Sequence, residues 1–172
     1  VASTINERMT VLIEGEFVVF LIGMRVNRWW KPWQWLPVGL AMQRMIRETS
    51  ANPEIGFLGV ESWFGNPTIM VQYWRSFELL EAYATDRNRE HLPAWAAFNR
   101  AVRSNGDVGI WHETYRVAPG AYEAVYNNMP RLGLGKVGTL VSATGQRQTA
   151  TGRLGLSDGS DAPVDIAGEI GR

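Results

Sequence analysis

Residues 16–26 read EFVVFLIGMRV, and this stretch narrows the choice of fold more than any other. It is rich in β-branched and aromatic residues and too continuously apolar for an exposed edge, so it reads as a central strand covered on both faces. A strand of that kind needs neighbours on either side and a layer above it. With 172 residues, 45% of them apolar, the chain has material for one ordinary core, and one domain with extensions fits better than two domains. The apolar run Phe17 to Ile22 is too short to span a bilayer and no secretory leader precedes it, so a cytoplasmic location and no stable membrane insertion are expected. A start at Val1 rather than methionine hints that something has been removed.

The following segments supply the neighbours. PVGLAMQRMIRETS places Val38, Ala41, Met42, Met45 and Ile46 at helical spacing, with Pro37 in the first turn and residues 49–53 ending the helix. IGFLGVESWF and TIMVQYW are two short strands joined at Gly65-Asn66-Pro67. Ser76 is positioned to cap the helix FELLEAYA, TDRNRE connects, and LPAWAAFNRAV forms another helix opened by Pro93 and closed by Asn105-Gly106. VGIWHETYRV is the last strand, ending before Pro119.

The order predicts an α+β, ferredoxin-like βαββαβ domain over residues 15–119, between an N-terminal extension, 1–14, and a C-terminal extension, 120–172. From Ser142 onward the C-terminal extension has almost no large apolar residues and reads as flexible, or as an arm embracing a dimer partner. Its GLGKVG and TGRLGLSDG runs lack the spacing of phosphate-binding loops. One face of such a sheet is left uncovered by its own helices, so a homodimer is expected.

The chemistry-bearing inventory is short. There is no cysteine, which removes disulfides, thiolate catalysis and cysteine-bound metal, and there are two histidines. His91 stands at the head of the last helix, where His91, Trp95, Phe98 and Val102 fall on one face. It reads either as a satisfied core residue or as a ligand or proton-transfer group at the rim of an apolar cavity. His112 alternates with Ile110 and Thr114 on one face of the last strand. No spacing suits a zinc or iron site built from side chains alone, although a single histidine suffices to anchor haem. Arg25, Glu61 and Gln72 interrupt apolar strands; facing one cavity with His112 or Glu113, they would orient a substrate and tune a proton acceptor.

MRVNRWWKPWQW, residues 24–35, holds four of the eight tryptophans beside two arginines and a lysine. Packing of a proline-stiffened loop over the core or dimer seam is the plainest reading. Arg28 or Lys31 beside Trp29 and Trp33 would also suit an anion-bearing ligand such as a haem propionate. Zero net charge and the absence of a longer basic run weigh against nucleic acid and against a membrane-touching loop.

The segments FVVFLIGMRVNRWWKPWQWLP, NPEIGFLGVESWFGNPTIMVQYWRSFELLEAYA and NREHLPAWAAFNRAVRSNGDVGIWHETYRV together resemble a bacterial family labelled "monooxygenase family protein", within the dimeric α/β-barrel superfamily. The resemblance covers roughly residues 15–140, with WW-P-W and GIWHETY its most specific parts. It implies a dimeric α/β barrel. It further implies a small enzyme with an apolar cavity, related to monooxygenases or aldoxime dehydratases, acting on a small aromatic or hydrophobic substrate and binding haem. Under that implication His91 is the iron ligand, Trp95, Phe98 and Arg28 complete the cofactor site, and Arg25, Gln72 and His112 act on the substrate. Two alternatives stand beside it: a cofactor-independent monooxygenase or isomerase of an aromatic polyketide-like substrate, and a non-catalytic carrier or dimerisation module.

Overall fold

The structure, a computed structural model, describes residues 3–101 and 105–157. In chain order it contains β1 (Ile5–Leu12), β2 (Phe17–Val26), α1 (Pro32–Ala51), β3 (Phe57–Trp63), β4 (Ile69–Trp74), α2 (Phe77–Thr85), α3 (His91–Ala101), β5 (Val108–Val117), β6 (Tyr126–Met129), α4 (Leu134–Val137), β7 (Thr139–Ser142) and α5 (Ala150–Arg153). These elements fall into two compact units, residues 16–117 on one side and the described parts of 1–15 and 118–172 on the other.

In the unit of residues 16–117, β2 is central, as its continuous apolar sequence requires. The sheet runs β3-β4-β2-β5 and every pair is antiparallel. With α1 in the first crossover and α2 and α3 in the second, this is the ferredoxin-like βαββαβ arrangement. The period-2 alternation of β2 puts Val18, Phe20 and Ile22 on the helix side, opposite Trp74, Gln72 and Met70 of β4. Val18, Ile55, Trp74, Leu80 and Tyr83 form the buried core, with Phe20, Phe57 and Phe77 packed on it. Burying side chains of this size contributes about 1.5–3 kcal/mol each. Phe57 meets Trp74 edge-on at 5.2 Å between ring centroids, and Tyr83 lies 5.7 Å beyond Trp74.

The barrel implied by the resemblance is corrected here: among the described residues no sheet closes. β3 and β5 are each paired on one side only within a four-stranded sheet. Closure needs the two edge strands to meet through tilt and stagger, and a sheet of only four strands leaves its edges apart.

Helix α1 begins at Pro32, five residues before the proline that the sequence suggests as its start. Pro32 occupies the first turn, where its missing N–H costs nothing, and Pro37 deletes one interior bond that the twenty-residue helix tolerates. Ser76 caps α2 as expected, its hydroxyl accepting from the Leu79 amide at 3.3 Å. At the β3–β4 hairpin, Asn66 clamps the turn to the end of β2: its Oδ1 accepts from Val26 N at 2.9 Å and its Nδ2 donates to Val26 O at 3.0 Å.

The second unit carries a three-stranded antiparallel sheet, β6-β1-β7. Val11, Leu134 and Ala143 are buried in it, and Gly138 is required where β1 passes, because a Cβ there would stand 2.5 Å from Val11 Cγ2. Tyr122 Oη accepts from Ile13 N at 2.6 Å, and Tyr126 Oη accepts from Gly135 N at 2.9 Å. Of the expected C-terminal extension, residues 158–172 lie outside the described residues, as does Val102 of the helix face that begins at His91.

Candidate functional site

The helix-side face of β2, β4 and β5 brings two of the sequence-selected residues onto one surface. Across β2, Phe20 is opposite both Gln72 and Thr114, while Ile22 is opposite Met70 and His112. Residues paired in register share a face, so Gln72, Phe20, Thr114 and His112 do so. The His112 ring lies 5.5 Å from that of Phe20, and the residue is exposed on edge strand β5. Gln72 is buried, and its Oε1 accepts from Trp74 Nε1 at 3.0 Å. That bond fixes the amide and leaves its NH2 as the end able to donate to a ligand. The surface thus offers an imidazole, a hydroxyl and an anchored amide beside an aromatic ring.

Arg25, Glu61 and Glu113 are not on this surface. Arg25 pairs with Gly109, Glu61 with Val71, and Glu113 with Leu21, which puts them on the opposite face. There Tyr115 donates to Glu113 Oε2 at 2.5 Å, and that bond, with the negative charge behind it, holds the phenol above its ordinary pKa.

His91 opens α3 in different company. Its Nδ1 is 2.8 Å from Ala84 O, and because a carbonyl only accepts, Nδ1 carries the proton. Tyr83, 6.2 Å from the His91 ring, donates to Glu48 Oε2 at 2.9 Å, and the same oxygen accepts from Glu90 N at 3.0 Å. Burial, then the Glu48 hydrogen bond, raises the Tyr83 pKa far above the phenol range. Arg89 stands 3.8 Å from Glu48 and 3.6 Å from Asp86. Trp95 and Phe98 stack on each other at 5.5 Å.

Asp107 was invisible to sequence reasoning. It is 2% exposed and pairs with Arg28 at 3.1 Å and Lys31 at 2.9 Å, while its carbonyl accepts from Asn27 N and Arg28 N. The basic residues of the tryptophan stretch are therefore tied to a buried carboxylate. Its one local signal is the preceding Asn105-Gly106, since Asn105 Oδ1 accepts from Asp107 N at 2.9 Å. Trp29, Trp30 and Trp33, expected to pack, are 74%, 56% and 66% exposed. A groove of about 410 Å³ runs along α1, lined by Pro32, Trp33, Leu36, Pro37, Leu40 and Arg44.

The haem expectation is corrected by these positions. An axial histidine must open into an apolar slot that admits a porphyrin. His91 sits instead at the charged junction of Tyr83, Glu48, Glu90 and Arg89, and Arg28 is engaged by Asp107. The groove on α1 has no histidine in its lining. Among the described residues, no group of three or more His, Cys, Asp or Glu could hold a metal ion either. The residues present do not fit the group.

A family profile described as Monooxygenase af470-like matches residues 17–134. Monooxygenase af470 of Aspergillus fumigatus is 29% identical over 180 residues, an alignment covering 84% of this chain and 60% of that protein. The chain thus spans about three fifths of the length of that curated relative. Among solved structures, an aldoxime dehydratase superposes with a TM-score of 0.61 at 15% identity, over 83% of this chain and 45% of that one. SnoaB, a cofactor-independent oxygenase from Streptomyces nogalater, gives a TM-score of 0.42 at 13% identity, over 58% of this chain and 91% of its own. The aldoxime dehydratase likeness is one of fold.

Proposed function

The chain belongs to the Monooxygenase af470-like family, and from that premise we propose that it is an oxygenase with no cofactor of its own, acting on a small aromatic, polyketide-like substrate. The observation that supports this is the placing of His112 and Gln72 on one helix-side surface beside Phe20. A flat substrate stacks on Phe20. The unprotonated nitrogen of His112 takes a proton from an activated CH2 or phenol, and the Gln72 NH2 donates to the resulting oxyanion. The carbanion so formed is electron-rich enough to reduce dioxygen itself. Carbon–oxygen bond formation gives a peroxide, whose collapse turns CH2 into C=O and releases one water, so that CH2 and O2 become C=O and H2O without an external reductant. The protein's part is to deprotonate, orient and confine; Arg25, on the other face, takes no part in it.

Oxygen uptake is the test, measured with an anthrone or a naphthol in the presence of a chelator. Uptake tied to substrate is expected, and His112→Ala should lower kcat by about 10²–10⁴-fold, the usual contribution of a positioned base. Gln72→Leu should reduce kcat while leaving stacking, and hence substrate binding, largely in place. Substrate binding without uptake, or a His112→Ala variant as active as the parent, would overturn the reading in favour of a carrier.

A further inference from the structure

Five large aromatic side chains gather, exposed, at one end of the four-stranded sheet. Trp29, Trp30 and Trp33 come from the loop after β2 and the start of α1, and are 74%, 56% and 66% exposed. Trp63 and Phe64 come from the β3–β4 hairpin and are 47% and 85% exposed. The two segments are held together: Asn66, two residues beyond Phe64, makes both its bonds to Val26, three residues before Trp29. The loop itself is braced by Asp107 through Arg28 and Lys31, and by Trp35 Nε1, which donates to Trp29 O at 3.1 Å. Leu36 and Leu40, 48% and 47% exposed, extend the apolar surface along α1.

Such a cluster is held out into solvent by a buried scaffold, so exposure is built into it and is not fraying. Its net charge is positive: Arg25 is exposed, and Arg28, 47% exposed, and Lys31, 29% exposed, share the single carboxylate of Asp107, 2% exposed, which neutralises only one of the two. Aromatic rings beside this excess of positive charge match the boundary of an anionic bilayer, where rings enter the headgroup layer and positive charge meets phosphates. Self-association through the same surface would set these cations against one another. We propose that this end of the sheet docks on an anionic phospholipid membrane surface, without spanning it; among the described residues no helix is long and apolar enough to cross.

The experiment is vesicle co-sedimentation of the full chain, with brominated-lipid quenching of tryptophan emission. Phosphatidylcholine vesicles are compared with phosphatidylcholine–phosphatidylglycerol vesicles in about 0.1 M and about 1 M salt, between which the screening length falls from about 10 Å to about 3 Å. Stronger partition into anionic vesicles is expected, weakened by salt and accompanied by quenching. Combining Trp29→Ser, Trp33→Ser and Phe64→Ser should reduce partition by roughly tenfold or more, given the area each ring buries. Phe64→Ser alone, on the separate hairpin, should give a smaller loss, and Leu156→Ser, exposed in the other unit, none. Failure of the parent to partition, or equal partition of parent and triple variant, overturns the proposal. So does a triple variant that loses a self-association seen without lipid while its vesicle affinity is unchanged, which would assign the surface to a second copy.

Discussion

Tyr83 shows what a single residue contributes and when. Its hydroxyl is removed from water and committed to Glu48, so the neutral phenol is favoured in the folded chain and its pKa stands far above the ordinary value. The unfolded chain releases that proton near pH 10. Above that pH the unfolded state binds fewer protons than the native state, and stability falls as pH rises. The contribution is therefore complete below about pH 10 and declines above it. Denaturant melts between pH 8 and 11 should show a steeper alkaline loss for the parent than for Tyr83→Phe, which should itself cost about 0.5–1.5 kcal/mol at neutral pH. Asp107 offers a second measurement. Asp107→Ala strands Arg28 and Lys31 and frees the tryptophan loop; with both cations partly exposed, a loss of about 1–3 kcal/mol is expected in urea unfolding. Neither residue is legible in the sequence, because Tyr83 finds Glu48 thirty-five positions away and Lys31 finds Asp107 seventy-six away. Those approaches are set by tertiary packing, to which periodicity is blind.

The elements themselves were largely legible, for a reason visible in β2. Its apolar continuity demands a central position, and the alternation of its neighbours selects which side chains face the helices. Helix α1 was harder to place because two prolines, Pro32 and Pro37, lie five positions apart, and either can open a helix. The barrel came from resemblance, not from any residue pattern, and the open edges of β3 and β5 are the outcome. Two glycines test this level with opposite signs. Gly39 lies in α1 with open space where a Cβ would go, so Gly39→Ala should stabilise by about 0.5–1 kcal/mol through helix propensity. Gly23 in β2 has Thr68 O and the Trp111 indole at that point, the nearest atom 2.0 Å away. Gly23→Ala must displace the backbone of the hairpin, and a loss of about 1–3 kcal/mol is expected. Thermal melts of the two variants should move in opposite directions.

At the scale of the molecule, what matters is the sheet face turned away from the helices. Val19, Leu21, Val71, Tyr73 and Trp111 lie on it half-buried, and Tyr115 on edge strand β5 is 51% exposed. Glu61 on β3 and Glu113 on β5 share this face and put charge on its two edge strands; an apolar centre with a polar rim favours a partner, and a second copy is the one always present at matching concentration. A stable interface needs about 1,200–2,000 Å² in total, which two such faces meeting across four strands can supply. Leu21 and Val71, opposite each other on the two inner strands, would be most deeply covered. Val71→Glu would put a second carboxylate beside Glu61, its cross-strand partner on β3, where desolvation and like-charge repulsion oppose association by several kcal/mol. Light scattering should therefore report a dimer for the parent and a monomer for Val71→Glu. Lys136→Glu, a charge change in the other unit, should leave the mass alone. A parent that is monomeric at all concentrations, or a Val71→Glu variant of unchanged mass, would show that this face serves another purpose.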